Sequence, residues 1–181
     1  MINIQMPLSE DKARKLECGD VITLSGTIYT ARDAAHKRLI ECINNSEELP
    51  FNIADQAIYY VGPTPGKPGD IIGSAGPTTS YRMDDLTIPL LERGLRIMIG
   101  KGKRDEKVIQ AMQKHGAVYL AAIGGAGAYI SNSIRACEII AYDDLGAEAI
   151  RKLEVKDLQL IVAIDSYGNN IYEKGREAYA K

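Results

Sequence analysis

The chain has no tryptophan, one phenylalanine, two histidines and three cysteines among its 181 residues. Its apolar content, 45% of the residues, is therefore mostly aliphatic, joined by ten tyrosines that each keep a polar end. Cys18, Cys42 and Cys137 are odd in number and far apart, so they fit neither a disulfide framework nor a Cys-x-x-Cys motif. They read as reduced thiols of a cytoplasmic protein, and their spacing supplies no ligand set for a metal cluster. No apolar run approaches the roughly 18 residues that a membrane span needs. The start, Met1-Ile2-Asn3-Ile4-Gln5-Met6, lacks the basic residues and long apolar stretch of a secretion signal. A formal net charge of −2 gives no overall electrostatic footprint for nucleic acid.

What is present suits one soluble domain over 1–181, large enough to fold around its own core. A strand is predicted over 2–7, then a helix capped by Ser9 and ended by Gly19. Residues 21–29, rich in Val, Ile, Thr and Tyr, predict a strand. The spacing of Ala35, Leu39, Ile40 and Ile43 predicts a helix over 32–44 with one buried stripe. A strand at 57–61 runs into Gly62-Pro63-Thr64-Pro65-Gly66-Lys67-Pro68-Gly69, which suits neither helix nor central strand and reads as a stiff surface crossover. Beyond it, strands at 95–99, 117–123, 138–142 and 158–164 enclose a helix at 105–115. The turn formers at 165–170 lead to a short strand near Ile171, and a short helix closes the chain. Parallel-type βα units mixed with antiparallel-looking strands predict an α/β fold with a mixed sheet.

Four segments put polar, cationic or glycine residues where a core has no use for them. In Thr30-Ala31-Arg32-Asp33-Ala34-Ala35-His36, a cation stands at a helix start, where the macrodipole favours anions. Either Asp33 is its partner, or Arg32 and the nearby N–H groups face a ligand carboxylate. His36, one turn on, is a packed residue or a catalyst. The segment 73–83, containing Gly76-Pro77-Thr78-Thr79-Ser80-Tyr81-Arg82-Met83, allows close backbone approach and offers three consecutive hydroxyls. It also suits a plain turn with helix caps. Ile99-Gly100-Lys101-Gly102-Lys103-Arg104-Asp105 joins a strand to a helix through glycines, an anion-binding arrangement or a solvated basic turn; it is neither a Walker motif nor GxGxxG. Gly124-Gly125-Ala126-Gly127-Ala128 cradles a phosphate or serves tight packing. Arg32, Arg82 and Lys101 thus stand at three strand-to-helix junctions, enough positive charge for the two ends of a dicarboxylate.

At these residues the sequence resembles the class I fumarase/tartrate dehydratase family, in its β subunit or equivalent C-terminal domain. The resemblance rests on Gly26-Thr27 leading to Ala31–His36, on Gly76–Met83, and on Gly100-Lys101-Gly102-Lys103-Arg104-Asp105, which fits the family's KGxxD pattern. It implies a swivelling β/β/α domain that closes over a 4Fe–4S cluster held elsewhere by three cysteines of an α subunit, in a heterodimer or α2β2 assembly. It also implies reversible hydration of fumarate to malate. Arg32, Arg82 and Lys101 would bind substrate carboxylates, with Gly76 and Thr79 beside them. Thr78 would help abstract the C3 proton, Asp105 would orient Lys101 or cap its helix, and His36 would pair with a neighbouring carboxylate. No metal ligand is expected in this chain. The competing readings are an L-tartrate dehydratase β subunit, a stand-alone anion- or phosphate-binding module, and a purely structural partner of a catalytic subunit.

Overall fold

The structure is a computed structural model and describes residues 1–122 and 127–173. Its backbone is a sheet ordered β1-β2-β3-β4-β5-β7-β6, in which β7 also pairs with β2. The strands are β1 (Ile2–Gln5), β2 (Val21–Thr30), β3 (Ala57–Tyr59), β4 (Ile97–Gly100), β5 (Val118–Ala122), β6 (Ile134–Ala141) and β7 (Ile150–Ile164). The double pairing of β7 closes β2, β3, β4, β5 and β7 into a five-stranded barrel. Strands β2 to β5 run parallel, whereas β7 is antiparallel to both β2 and β5. The domain is therefore mixed α/β, as the sequence predicts.

Side-chain alternation along the strands divides the core in two. Ala57, Tyr59, Ile97, Ile99, Val118, Leu120, Leu153, Leu160 and Val162 fill the barrel. Their neighbours Ile58, Tyr60, Met98, Tyr119 and Ala163 face outward and pack on helices α2 (Asp33–Asn44), α3 (Asp84–Glu92) and α4 (Glu106–His115). Strands buried on both faces read as unbroken apolar runs, and Ile97-Met98-Ile99 is one. Each fully buried aliphatic side chain contributes about 1.5–3 kcal/mol. Two smaller helices, α1 (Glu10–Ala13) and α5 (Gly127–Ser131), complete the regular structure, with 3-10 turns at Ser80–Met83 and Asp143–Glu148.

Several boundaries differ from expectation. The first helix stops at Ala13 instead of reaching Gly19. Chain reversal buries Leu16, and Gly19 adopts φ +101° while donating its N–H to the Val162 carbonyl at 2.8 Å. The two last strands are longer than the apolar runs suggest, because Arg151, Lys152, Glu154 and Lys156 continue β7 with side chains only partly buried or exposed. No strand forms at Ile171: Asn170 makes one isolated bridge to Ile164, and its side chain accepts the Tyr172 N–H, turning the chain into a helical turn. Of the glycine-rich segment 124–128, residues 124–126 lie outside the described residues and Gly127 begins α5. Residues beyond 173, where a closing helix is expected to continue, also lie outside them. No helix among the described residues is long and apolar enough to cross a membrane.

Gly100 ends β4 where no side chain fits. A Cβ there would overlap Ser80 Oγ and lie 3.0 Å from Tyr60 Cδ2. Gly100→Ala is therefore expected to lower unfolding free energy by about 1–3 kcal/mol, measured by urea denaturation; an unchanged midpoint contradicts this packing.

Candidate functional site

The four parallel strands end at one rim of the barrel, the side on which α/β sheets carry ligands. The residues at that rim are set by register. The Ala31 N–H reaches the Tyr59 carbonyl at 3.2 Å, and the Tyr60 N–H reaches the Ile99 carbonyl at 2.8 Å, so β2, β3 and β4 finish level. After β3 the chain wanders through the proline-rich crossover and returns: the Thr78 N–H donates to the Tyr60 carbonyl at 2.7 Å. Thr79 then pairs with Lys101 as a parallel bridge. The Lys101 N–H lies 3.4 Å from the Thr78 carbonyl, and the Ser80 N–H donates to the Lys101 carbonyl at 3.0 Å. Arg32, Thr78 and Lys101 thereby form one row along three adjacent strand ends.

Arg82 joins that row through Asp33. Its Nε and one terminal nitrogen meet the two Asp33 oxygens at 3.1 and 3.2 Å. Arg32 lies 3.7 Å from the same carboxylate and 3.2 Å from Glu148. The Glu148 carboxylate also accepts the Ala34 N–H at 3.2 Å, fastening the start of α2. Asp33 is thus a partner of both arginines. Burial acts to raise its pKa, but its own backbone N–H and the two guanidinium groups outweigh that and hold the carboxyl below its ordinary value. Arg32 Nε is buried and has no hydrogen-bond acceptor among the described residues. Its neighbour Gly62 leaves room for the guanidinium, since a Cβ there would lie 3.0 Å from it. Lys101 and Gly76 are exposed, and Thr78 and Thr79 are partly buried.

Two predicted residues sit away from the open row. His36 is fully buried, its ring edge-on to Tyr60. Its Nδ1 lies 2.8 Å from the Arg32 carbonyl, which can only accept, so Nδ1 carries the proton. Nε2 has no partner among the described residues, so the carboxylate pairing expected for His36 is replaced by a bond to the backbone of Arg32. Asp105 caps α4 by accepting the Lys107 N–H at 3.0 Å, the second of its two expected roles.

Sequence reasoning gave no individual role to Arg104, Asp84, Tyr60, Ser80, Tyr119 or Glu148, although it counted Ser80 among three consecutive hydroxyls. The first five form a buried polar cluster beneath the row. The signal for it was the density of charge in Lys101–Asp105, which reads as an anion-binding arrangement or a solvated turn, neither of which buries Arg104.

The chain's residues do not suit an iron–sulfur cluster. Cys18 donates toward the Ala163 carbonyl, Cys42 lies beside Tyr142, and Cys137 sits on β6. No three His, Cys, Asp or Glu side chains among the described residues form a group that could hold a metal ion.

The closed barrel thus presents a cationic row at its parallel-strand rim. Comparison with known proteins identifies the family. The family model described as Fumarase C-terminus matches residues 1–175. A Methanocaldococcus jannaschii protein named "Putative L(+)-tartrate dehydratase subunit beta" is 39% identical over 181 residues, covering 96% of this chain and 93% of that one. The aerobic class I fumarate hydratase of Escherichia coli K12 is 42% identical over 155 residues, covering 84% of this chain and 28% of the relative. Fumarate hydratase 2 of Leishmania major is 37% identical over 180 residues, covering 96% of this chain and 31% of the relative. The chain belongs to the fumarase C-terminus family, as a β-type domain of the class I fumarate hydratases and tartrate dehydratases. It spans about a third of the fumarate hydratases it matches, and nearly the whole of the archaeal subunit.

Burial pushes the His36 imidazole down to about 4, against an ordinary value of 6.5. The unfolded chain therefore takes up this proton first as pH falls. The stability gained by burying a neutral ring is complete above about pH 6.5 and is lost as pH drops toward 4. The advantage of the wild-type chain over His36→Gln is expected to shrink by roughly 2–3 kcal/mol between pH 7 and pH 4.5. Denaturant unfolding of both at the two pH values measures this; a constant difference contradicts it.

Proposed function

We propose that this chain is the substrate-holding β subunit of an iron–sulfur hydro-lyase that interconverts fumarate and malate. The observation that carries the reading is the row itself: the Thr78–Ser80 segment runs beside Lys101 through the Thr79–Lys101 bridge, and Arg82 is linked to Arg32 through Asp33. The 4Fe–4S cluster would belong to a partner α subunit in a heterodimer or α2β2 assembly, where it would supply Lewis-acid chemistry toward the substrate hydroxyl.

This chain's residues hold the rest of the substrate. Arg32, Arg82 and Lys101 neutralise the two carboxylates, the planar guanidinium forks matching a carboxylate two bonds at a time. Asp33 keeps both arginines at fixed spacing while leaving their outer N–H groups for the ligand. Gly76 allows the backbone to approach, and Thr79 borders the same pocket. Thr78 moves the C3 proton. A threonine hydroxyl is a weak base, and the adjacent Lys101 cation favours its deprotonated form. His36 and Asp105 act from behind, one holding the Arg32 backbone and the other the start of α4 after Lys101. The domain swivels to close this row over the cluster, which excludes water from the reacting centre.

An L-tartrate dehydratase β subunit is the second reading. The archaeal relative favours it, since that protein carries a tartrate dehydratase subunit name and is 39% identical to this chain. Fumarate and tartrate differ by hydroxyl groups, which a few pocket contacts distinguish.

In an anaerobic complex with a cluster-bearing α subunit, Lys101→Ala is expected to lower kcat/KM for fumarate by on the order of 10²-fold or more. The complex should keep its size, and Lys103→Ala, at an exposed position two residues away, should retain near-wild-type turnover. Unchanged turnover in Lys101→Ala would remove this chain from the chemistry and leave a structural partner.

A further inference from the structure

Beneath the row lies a charge that the proposed chemistry does not use. The Arg104 side chain is 0% exposed, and its guanidinium carbon sits 5.2 Å from the ring centroids of both Tyr60 and Tyr119. Its Nε donates to Asp84 at 2.6 Å, one terminal nitrogen to Tyr60 Oη at 3.2 Å, and the other to Thr87 Oγ1 at 3.1 Å. The second Asp84 oxygen accepts the Asp105 N–H at 2.8 Å. Tyr119 Oη donates to the Gly102 carbonyl at 3.0 Å and lies 2.8 Å from Ser80 Oγ. These bonds grip the loop after β4 at Gly102, Arg104 and Asp105, and the loop carrying Thr78 and Arg82 at Ser80 and Asp84.

A buried ion pair is weak evidence for stability, since removing two charges from water costs about as much as their attraction returns. Its geometry is a better account of its presence. The direct bonds between the two loops are few, and the one from Lys101 N–H to the Thr78 carbonyl is 3.4 Å long, near the limit of a useful hydrogen bond. We infer that Arg104 is a positioning residue, whose planar fork, bonded to Asp84 and set near two tyrosine rings, holds the Thr78–Ser80 segment in register with Lys101. Its side chain is sealed from solvent, so it acts through these neighbours. The inference takes the roles of Thr78 and Lys101 from the reading above; the register itself is independent of that reading.

Arg104→Lys separates charge from shape: it keeps a cation opposite Asp84 but loses the planar fork and its several directed donors. Tyr119→Phe keeps the ring and deletes the hydroxyl that joins Gly102 to Ser80. Amide hydrogen exchange on the full chain, followed by NMR, reads the register directly. In both variants the Lys101 and Ser80 amides are expected to exchange about ten-fold faster or more, while the Val162 amide in the barrel keeps its wild-type protection. In the anaerobic complex, kcat for fumarate should fall about ten-fold or more, by a larger factor than KM changes. Unchanged protection at Lys101 and Ser80, or uniform acceleration that includes Val162, overturns the inference. If Arg104→Lys does not fold, the exchange pattern of Tyr119→Phe decides. A wild-type complex without hydratase activity would sink the functional reading and leave the exchange result standing as the test of register.

Discussion

Everything at the rim depends on β7. Its 15 residues pair with β2 along one edge, and with β6 and then β5 along the other. Without that double pairing, β2 to β5 would form an open parallel sheet with two bare edges. With it, the sheet curves into a barrel, and the carboxyl ends of β2, β3 and β4 are drawn to one rim at fixed spacing. The antiparallel strand that closes the ring is thus the reason that residues 32, 78 and 101, far apart in sequence, share a surface.

The rim collects positive charge, and the fold handles that charge in two ways. Toward solvent, Asp33 and Glu148 hold Arg32 and Arg82 by partly exposed ion pairs, which contribute about 0–1 kcal/mol each. Such pairs set direction more than stability, and they leave the cations available to another anion. Below the rim, Arg104 and Asp84 are sealed among tyrosines, where every donor must find an acceptor or cost free energy. The outer layer suits binding and release. The inner layer suits rigidity.

Much of this was legible in the amino-acid sequence, because the relevant signals are local. Residues 21–29 announce β2 by composition, Asp105 announces a helix start by its capping chemistry, and Gly100-Lys101-Gly102 marks a strand that ends in a glycine-flanked turn. Arg32, Arg82 and Lys101 were therefore visible as junction cations, and the resemblance to a known family added Thr78 beside them. What stayed hidden depends on tertiary contact. Nothing in Lys101-Gly102-Lys103-Arg104 says that the fourth residue turns inward while Lys101 and Lys103 stay exposed. That outcome is decided by Tyr60 and Tyr119, which arrive from other strands. The full length of β7 was hidden for a similar reason: its charged half gains order from pairing with β2 and β6, not from its own apolar pattern. His36 looked like a candidate catalyst, and only burial distinguishes that role from one of support.

The central claim is that this chain carries half of a hydro-lyase site. The direct measurement is fumarate hydration, followed anaerobically, by this chain alone, by a cluster-bearing α subunit alone, and by the two mixed. The account predicts malate formation in the mixture and in neither component. A mixture with an intact cluster that converts neither fumarate nor tartrate would contradict it.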